Sequence, residues 1–368
     1  MIRALIVDDS VVVRRMLSDA LTGDPRISVV GTAPNGAIAL QKLGQLSPDV
    51  VILDVEMPDM DGIETVRRLR VDYPKLPVIM CSSLTERGAE VTLRALAAGA
   101  TDYVTKPSAS VAQQDGLSSF KSELLASVLV LGESKAPTTL GQSTRPPAEA
   151  SIISLLRTPT RSPIAAVGIG CSTGGPNALA KLFARIPADL PVPIFIVQHM
   201  PALFTRMLAD SLSTSSGVSV HEAVHGGAVE PGHAYVAPGD FHMVLERDGT
   251  RFVTVLNQAP PENSCRPAVD VLFRSLARVC GSGVLASVLT GMGRDGTRGA
   301  GDIVEAGGAV LVQNAESCVV PSMPDAVARA GLAEMALPLE QLGDELVARV
   351  RRSSSAAPRQ SMFTRKGN

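Results

Sequence analysis

The chain has 368 residues, of which 45% are hydrophobic, and a formal net charge of −2 at pH 7. This apolar content can build two hydrophobic cores, and the length exceeds that of one ordinary domain, so we predict two domains. Without a basic excess, nucleic acid is not expected as a principal partner. No apolar run approaches the length of a bilayer span and no signal peptide is apparent, so we predict a cytoplasmic protein without direct membrane insertion.

The N-terminal part of the chain alternates short apolar runs with segments of helical periodicity. The apolar runs lie at residues 4–7, 29–30, 50–53, 77–81 and 103–104. Such alternation is typical of a parallel sheet wrapped by helices. The pattern predicts an α/β domain with a five-stranded parallel sheet over residues 1–131.

The rest of the chain divides by composition into three further parts. Residues 132–163 are dominated by Pro, Ser, Thr, Ala and Gly, which bury too little apolar surface to fold, so they are interpreted as a flexible linker. Alternating strand-like and helix-like runs over residues 164–352 predict a doubly wound α/β domain. Within it, short β-rich runs broken by Gly and Pro at 218–256 predict a β-hairpin insertion. Residues 353–368 are Ser-rich and predicted to form a disordered tail.

Polar side chains stand at the predicted carboxyl ends of four N-terminal strands. The first run ends in Asp8 and Asp9, the third in Asp54 and the fourth in Ser82, while Lys106 follows the fifth. Each alone is compatible with an ordinary strand-end residue. Because ligands gather at the carboxyl edge of a parallel sheet, three carboxylates would converge there and require a hard cation such as Mg²⁺. With its charge screened by the cation and by Lys106, Asp54 could attack a phosphoryl donor and form an acyl phosphate.

The N-terminal motifs VDDS, LDVEMPDMDG, MCSS and DYVTKP closely resemble the response-regulator receiver family over about the whole domain. The resemblance implies a flavodoxin-like receiver fold that is phosphorylated on Asp54. It implies that four residues hold Mg²⁺, namely Asp8, Asp9, Asp54 and the backbone carbonyl of Glu56. It further implies a switch in which Ser82 follows the phosphoryl group beside Lys106, while Tyr103 changes its packing and transmits the signal.

The segment AAVGIGCSTGGPNALAKL predicts a strand, a glycine-rich turn and a helix, and two interpretations of it compete. Its glycines loosely suggest a dinucleotide fingerprint. However, the third glycine is displaced by one residue, and the next strand ends in His199 where an acid that binds ribose would be expected. The same turn contains a G-x-S-x-G elbow, which presents Ser172 at a strand end beside backbone N–H groups.

A nucleophilic serine needs a base and an acid that orients the base. His199 closes the strand after Ser172, and adjacent parallel strands would bring the two close. Asp295 lies in a glycine-rich loop after the strand-like residues 284–289. Considered singly, the histidine could be a polar cap and the aspartate an ordinary turn residue. Together they predict a Ser–His–Asp triad whose order along the chain differs from that of the usual α/β-hydrolases.

The second domain resembles the chemotaxis protein-glutamate methylesterase family, CheB, through GCSTGG, QHMP, PGHAYVAPGD, RPAVDVLF, LTGMGRDG and QNAESCVV. That family also joins its hydrolase to a receiver. The resemblance implies Ser172 as the nucleophile, His199 as general base and acid, and Asp295 as the residue that orients the histidine. It also implies an oxyanion hole formed by the Met292 backbone together with Thr173.

The resemblance further implies the substrate and the regulation. The family hydrolyses γ-glutamyl methyl esters on methyl-accepting chemotaxis receptors, releasing methanol, and deamidates specific receptor glutamines. The histidine kinase of the chemosensory complex would phosphorylate Asp54, which would free the Ser172 cleft, and the catalytic domain would need no cofactor. Two alternatives stay open: a constitutive enzyme that its receiver only recruits, and a phosphorylation-dependent adaptor or transcription regulator without hydrolase activity. The second half has no helix-turn-helix pattern to favour a transcription regulator.

Residues His221 to His225 match H-E-x-x-H, the zinc-protease signature. That chemistry requires a helix presenting both histidines on one face, together with a third ligand. Here two glycines follow at once, and the alternation of Val218 and Val220 predicts a strand, on which residues four apart are too widely spaced to share one zinc. We interpret the match as fortuitous. Stoichiometric zinc together with loss of activity on chelation would contradict this interpretation.

Overall fold

The structure is a computed structural model, and it describes residues 1–107, 114–133 and 162–355. Most of the predicted linker, at 134–161, lies outside the described residues. The last helix continues to Ser355, and the remainder of the predicted tail also lies outside them. In the part of the chain that the structure describes, no helix is both long enough and apolar enough to cross a membrane.

The N-terminal domain is a five-stranded, entirely parallel sheet in the order β2-β1-β3-β4-β5. The strands are β1 (Ile2–Val7), β2 (Ile27–Ala33), β3 (Val50–Asp54), β4 (Val78–Ser83) and β5 (Asp102–Lys106). The helices are α1 (Val11–Leu21), α2 (Gly36–Leu46), α3 (Gly62–Asp72), α4 (Glu86–Ala97) and α5 (Gln114–Glu133). This strand order confirms the predicted flavodoxin-like receiver.

Local sequence explains where the receiver helices begin. The side chains of Ser10, Asn35, Asp61 and Thr85 precede α1 to α4, and each accepts a hydrogen bond from the backbone N–H three residues further on. Such caps satisfy donors that have no partner within the helix. The strand β3 is buried along its whole length, as expected for a strand covered by helices on both faces.

The C-terminal domain contains a seven-stranded parallel sheet in the order β15-β14-β13-β6-β7-β10-β8. Its strands are β6 (Ala166–Cys171), β7 (Ile194–Gln198), β8 (Ser219–Glu222), β10 (His233–Val236), β13 (Val284–Val288), β14 (Ala309–Gln313) and β15 (Met335–Leu337). The helices are α6 (Gly175–Phe183), α7 (Ala202–Ser216), α8 (Val269–Cys280), α9 (Thr297–Glu305), α10 (Ser322–Arg329) and α11 (Leu339–Ser355). The predicted doubly wound α/β domain is confirmed.

The predicted hairpin insertion is present but smaller than the segment assigned to it. The antiparallel hairpin consists of β11 (His242–Asp248) and β12 (Arg251–Asn257), and β9 (Gly227–Ala228) adds a third strand beside β12. In contrast, β8 and β10 pair in parallel and extend the main sheet. The strand β8, at the edge of the sheet, alternates in burial as a hairpin strand does, so its periodicity alone could not separate the two.

The two domains are packed against each other. The helix α4 of the receiver contacts α7 and α6 of the catalytic domain. The ring of Tyr103 stacks on that of Phe204, with centroids 4.8 Å apart and planes 9° from parallel. The Asn177 side-chain amide donates a hydrogen bond of 2.9 Å to the Ala100 carbonyl. Tyr103 and Phe204 also belong to one buried apolar cluster that runs through both domains. The catalytic domain therefore covers the α4–β5 face of the receiver.

Candidate phosphorylation and active sites

The strand ends of the receiver bring its predicted acidic residues together. Oxygen atoms of Asp8, Asp9 and Asp54 lie within 4.8 Å of one another. The Lys106 ammonium lies 2.7 Å from Asp8 Oδ2 and 2.8 Å from Asp54 Oδ1. The Val55 backbone N–H donates to the same Asp54 oxygen at 2.8 Å. Sequence therefore predicted correctly that these four side chains would converge.

The electrostatics of this cluster favour a divalent cation. Burial has the largest influence on the pKa of Asp54, and together with the charge of Asp8 it raises that pKa to about 6 against the opposing effect of Lys106. Three carboxylates face one ammonium, so two negative charges are unbalanced when all are ionised. A hard cation with oxygen ligands, such as Mg²⁺, matches this donor set in charge and in chemistry. The residues available to hold it are Asp8, Asp9 and Asp54.

The other predicted switch residues lie at two different places. Ser82 and Glu56 line a cleft of about 380 Å³ together with Asp54 and Lys106. The Ser82 hydroxyl donates to the Gly88 carbonyl at 3.1 Å, in the first turn of α4. Tyr103 lies at the interface with the catalytic domain instead. The structure thus separates a phosphate-side group of residues from an interface-side residue, and α4 lies between them.

In the catalytic domain, Ser172 follows the end of β6 in a sharp turn. Gly174 has φ +74°, and a Cβ atom there would come within 2.7 Å of Val319. Only glycine suits a position that has both this backbone conformation and this close approach. The helix α6 begins at once, with Pro176 in its first turn. The result is the predicted elbow, which leaves Ser172 half-buried at the carboxyl edge of the sheet.

The neighbouring strand brings His199 beside this elbow. Cys171 pairs with Gln198 between β6 and β7, and the His199 backbone N–H donates to the Cys171 carbonyl at 3.3 Å. The Gln198 side-chain amide then donates to the backbone carbonyls of both Ser172 and His199, at 3.0 and 3.2 Å. Gln198 is 2% exposed, so the two strand ends are fixed relative to each other by a buried amide.

Asp295 binds the imidazole of His199 from the far side. His199 Nε2 and Asp295 Oδ2 are 2.9 Å apart, and the aspartate side chain is only 2% exposed. The Val269 and Asp270 backbone N–H groups, at the start of α8, donate to Asp295 at 2.6 and 3.1 Å. Gly296 donates a further backbone hydrogen bond of 2.9 Å. A carboxylate with this many donors is held firmly in its ionised form.

The pKa shifts of this pair agree with the geometry. Burial has the largest influence on the pKa of Asp295 and raises it, yet the hydrogen bond and charge of His199, with the backbone donors, bring the pKa below its ordinary value. Burial likewise is the largest influence on His199 and lowers its pKa. Hydrogen bonds to Asp295 and Cys265 outweigh burial and raise the pKa of His199 to about 9. The imidazolium is thus strongly stabilised in this conformation.

Ser172, the third residue of the predicted triad, lies near the His199–Asp295 pair without a hydrogen bond to it in the described part of the chain. Among the residues that the structure describes, no hydrogen bond joins the Ser172 hydroxyl to His199. The second ring nitrogen, Nδ1, instead lies 3.5 Å from the Cys265 sulfur. Catalytic hydrogen bonds are often long in ligand-free enzymes and tighten when substrate binds. Since Asp295 binds Nε2, the nitrogen available to a serine is Nδ1, the reverse of the chymotrypsin arrangement.

Two backbone donors near Ser172 match the predicted oxyanion hole. Across residues 1–107, 114–133 and 162–355, neither the Thr173 nor the Met292 backbone N–H has an acceptor. Met292 lies in the loop after β13, which is fixed by Gly291 N–H donating to Val320 O at 2.9 Å. Donors without an internal acceptor are what an oxyanion hole requires.

Several residues at this site carried no recognisable signal in the sequence. The Asn263 amide donates to Asp295 Oδ1 and to Asp270 Oδ2, both at 2.9 Å, so it orients the catalytic carboxylate. Cys265 approaches His199 from the same loop. Burial raises the pKa of Asp102, at the start of β5, to about 7, and a hydrogen bond from Thr173 opposes this shift. Asp102 thus lies near Thr173, a predicted oxyanion-hole residue, across the interface between the two domains.

A cleft of about 420 Å³ opens above His199 between the two domains. The catalytic domain supplies most of its wall, including Cys265 and Arg266. Tyr103 and Glu123 of the receiver form the remainder. Access to His199 therefore depends on the position of the receiver.

A receiver fold packed over a doubly wound α/β domain, with a serine elbow beside a His–Asp pair, defines a response-regulator hydrolase. Comparison with known families agrees: residues 4–114 match the response regulator receiver domain, and residues 167–346 match the CheB methylesterase domain. The chain belongs to the CheB methylesterase family.

Relatives of similar length support this assignment. A protein-glutamate methylesterase/protein-glutamine glutaminase of Nocardioides sp. is 49% identical over 95% of this chain and 96% of its own length. A protein of the same name from Trichodesmium erythraeum is 46% identical over 95% of this chain and 99% of its own. The crystal structure of the Thermotoga maritima CheB methylesterase catalytic domain is 40% identical, with a TM-score of 0.50, and covers 50% of this chain and 98% of the other.

Proposed function

We propose that this chain hydrolyses γ-glutamyl methyl esters on methyl-accepting chemotaxis receptors, and deamidates specific receptor glutamines, using Ser172, His199 and Asp295. The observation on which this rests most heavily is the elbow that places Ser172 next to the buried His199–Asp295 pair. Family membership supports the same activity. Release of methanol from methylated receptor membranes is the test, and its sharpest form is argued in the Discussion.

In the proposed reaction, the Ser172 oxygen attacks the ester carbonyl while His199 takes the hydroxyl proton. The Thr173 and Met292 N–H groups bind the resulting oxyanion. Collapse of the tetrahedral intermediate breaks the bond to the methoxy group, and His199 returns the proton so that methanol leaves. Water then attacks the acyl-enzyme with His199 again as base, which regenerates Ser172 and releases glutamate. A glutamine follows the same path, with ammonia as the leaving group.

The proposed partners are the receptors as substrate and the histidine kinase of the chemosensory complex as phosphoryl donor, with the enzyme acting in the cytoplasm. We take residues 1–131 as the receiver and 164–352 as the catalytic domain, and the helices α5 and α11 continue these domains to Glu133 and Ser355. In the receiver, Asp54 is the proposed phosphorylation site. Mg²⁺ held by Asp8, Asp9, Asp54 and the Glu56 carbonyl would neutralise charge on the incoming phosphoryl group. Ser82 and Lys106 are placed to contact that group once it is attached.

The position of the receiver at the cleft above His199 supports gating in preference to simple recruitment. Tyr103 and Glu123 wall the space above His199, and α4, which begins next to the Ser82 side of the phosphorylation cleft, packs on the catalytic domain. A change at Asp54 that moves α4 would therefore alter access to His199. Coupling between two sites is reciprocal. If phosphorylation of Asp54 favours the open cleft, then opening the cleft must favour phosphorylation of Asp54.

Replacing Tyr103 with alanine is expected to raise the basal rate of methanol release about three- to tenfold without any phosphoryl donor. The stacked pair with Phe204 favours the closed state, and such pairs are worth about 0.5–1.5 kcal/mol beyond their buried area. Asn177→Ala, which removes an interdomain hydrogen bond from the catalytic side, should act in the same direction. Tyr73→Ala, at the C-terminal cap of α3 and outside the stacked pair, serves as the control. Unchanged basal rates in both interface variants would support recruitment instead.

Mg²⁺ affinity is expected to rise with pH through about 6. The pKa of Asp54 is raised to about 6, so below that pH the carboxyl is protonated and a cation must displace the proton. Above it the carboxylate is already ionised and binding no longer depends on pH. Calorimetric titration of the intact chain between pH 5 and 8 measures this. Asp54→Asn should bind Mg²⁺ more weakly, and its affinity should show no inflection near pH 6. If the inflection remained in that variant, a group other than Asp54 would be responsible for it.

A further inference from the structure

Two histidines that the catalytic chemistry does not use meet at the edge of the seven-stranded sheet. His221 Nε2 and His233 Nδ1 are 3.2 Å apart, and their rings are stacked with centroids 5.3 Å apart and planes 20° from parallel. We propose that His221 and His233 form a surface binding site for a late first-row divalent metal ion, with Zn²⁺ as the reference ligand. Such a site would add to the catalytic domain a metal that the sequence did not predict.

The backbone places these two side chains without adjustment. In the parallel pairing of β8 with β10, His221 lies opposite Tyr235, and His233 lies opposite Ser219. His233 and Tyr235 are two residues apart on one strand, so their side chains share a face of the sheet with His221. The rings of His221 and Tyr235 are 6.3 Å apart, which supports the imidazole from one side. The pair is thus positioned by main-chain hydrogen bonds rather than by flexible loops.

The separation of the two nitrogens suits chelation. Zinc binds histidine nitrogen at about 2.0–2.1 Å, and two such ligands at a tetrahedral angle are about 3.3 Å apart. The observed 3.2 Å is close to that value. One proton shared between the rings would give a similar distance, so the test below must distinguish a metal from a proton. His221 is exposed and the His233 side chain is 32% exposed, so water can complete the coordination shell.

A carboxylate beside the second nitrogen of His233 is compatible with metal binding at the pair, and equally with a proton shared between the two rings. Glu230 Oε2 lies 3.5 Å from Nε2 of His233, the nitrogen that does not face His221. Histidines that bind metals commonly donate this second N–H to a carboxylate, which fixes the tautomer and leaves the other nitrogen unprotonated. With its proton on Nε2, His233 presents an Nδ1 lone pair towards His221. Imidazole ligands select zinc, copper or nickel rather than Mg²⁺ or Ca²⁺.

This site is distinct from the H-E-x-x-H match, although both include His221. The strand β8 ends at Glu222, and the chain then enters a turn at His225, so no helix presents both histidines of the signature. His225 Nδ1 lies 3.1 Å from the Leu256 carbonyl, on the hairpin side. The Glu222 carboxylate accepts a hydrogen bond from Thr205 at 2.7 Å and is directed away from the pair. The residue that completes the site is therefore His233, twelve positions along the chain from His221, and not His225.

Calorimetric titration of the intact chain with Zn²⁺ tests the proposal, in the presence of excess Mg²⁺ to occupy the acidic receiver cluster. We expect one zinc equivalent whose affinity falls at least tenfold in His221→Ala and in His233→Ala. His225→Ala is the matched control and should bind as the wild type does. Glu230→Gln should weaken binding by about tenfold, the low end for loss of a carboxylate partner of a metal ligand. Parallel titrations in a Cys265→Ser background remove the His199–Cys265 pair as an alternative zinc site.

Three results would overturn the proposal. If both His221→Ala and His233→Ala bound zinc as the wild type does, the two histidines would not be zinc ligands, and their short contact would be a shared proton. Loss of binding in His225→Ala with retention in His233→Ala would favour the zinc-protease signature instead. If the Cys265→Ser substitution alone abolished binding of the zinc ion, the ion would be assigned to the active site. Methanol release measured without a phosphoryl donor, where the receiver Mg²⁺ plays no part, should be insensitive to chelators, because the proposed zinc takes no part in ester hydrolysis.

Discussion

Replacing Ser172 with alanine is expected to lower the rate of methanol release from methylated receptor membranes by about 10⁴-fold or more. Loss of the nucleophile from a Ser–His–Asp site costs on this order, and the residual rate comes from the oxyanion donors and substrate binding. The expectation rests on the elbow at the end of β6 and on the free Thr173 and Met292 donors beside it. The measurement is methanol release by the intact chain with a phosphoryl donor present, so that closure of the cleft does not mask the loss.

Two controls make this result specific to Ser172. Ser282→Ala removes a half-buried serine whose hydroxyl donates to Ser162 at 2.8 Å, and it should retain the full rate. Phosphorylation of Asp54 in Ser172→Ala should match the wild type, which shows that the receiver still folds and accepts phosphate. If Ser172→Ala kept substantial methanol release, the triad assignment would be wrong. A wild-type chain with no release at all, but with intact phosphorylation, would instead favour an adaptor.

The features that sequence predicted well share one physical origin. In a parallel sheet every strand ends at the same edge, so residues at strand ends converge wherever the strands are correctly located. This is why Asp8 and Asp54 meet Lys106, and why His199 meets Asp295, although the latter two are 96 residues apart. Hydrophobic periodicity located the strands, and the short polar motifs at their ends identified the residues that would converge.

The features that sequence missed depend on side chains reaching across loops or between domains. Asn263 orients Asp295 from a loop without periodicity, at a left-handed φ of 52°. The stacking of Tyr103 on Phe204 requires knowing how two separately folded domains dock. The pairing of His221 with His233 requires knowing that β8 and β10 are parallel neighbours, whereas their composition indicated a hairpin. No local pattern encodes such contacts.

The orientation of the His199 ring was also beyond the sequence, and it changes the chemistry. Asp295 binds Nε2, which fixes the proton there and leaves Nδ1 as the base. In this structure Nδ1 faces the Cys265 sulfur, and hydrogen bonds to Asp295 and Cys265 raise the pKa of His199 to about 9. These bonds therefore stabilise the imidazolium, the form in which Nδ1 cannot accept the Ser172 proton.

Substituting Asp295 with asparagine is expected to lower kcat by about 10⁴-fold, the effect of the equivalent change in another Ser–His–Asp enzyme. The amide cannot stabilise the imidazolium that forms during attack. It also cannot accept the backbone hydrogen bonds from Val269 and Asp270 as a carboxylate does. A histidine without its acidic partner loses the tautomer that leaves Nδ1 free.

The same substitution should also lower the pH at which kcat/KM has its inflection. Activity requires neutral imidazole, so kcat/KM rises with pH through the pKa of His199. Asp295 raises that pKa and burial lowers it, so in Asp295→Asn the inflection should fall from about 9 towards or below the ordinary value of 6.5. More of the base is then neutral at pH 7, yet the rate is lower, because the lost stabilisation of the imidazolium exceeds the gain in available base.

Asp270→Asn provides the matched control for this pH profile. Asp270 is a buried carboxylate that lies beside Asp295 and accepts from Gly299 and Asn263, but it makes no hydrogen bond to His199. The same change of charge at this position should leave the inflection near that of the wild type. An inflection that moves equally in both variants would mean that the general field of the site, rather than the bond between Asp295 and His199, sets the basicity of the histidine. A profile unchanged in Asp295→Asn would remove Asp295 from the proposed triad, and the search for the orienting group would then turn to the loop that holds Asn263 and Cys265.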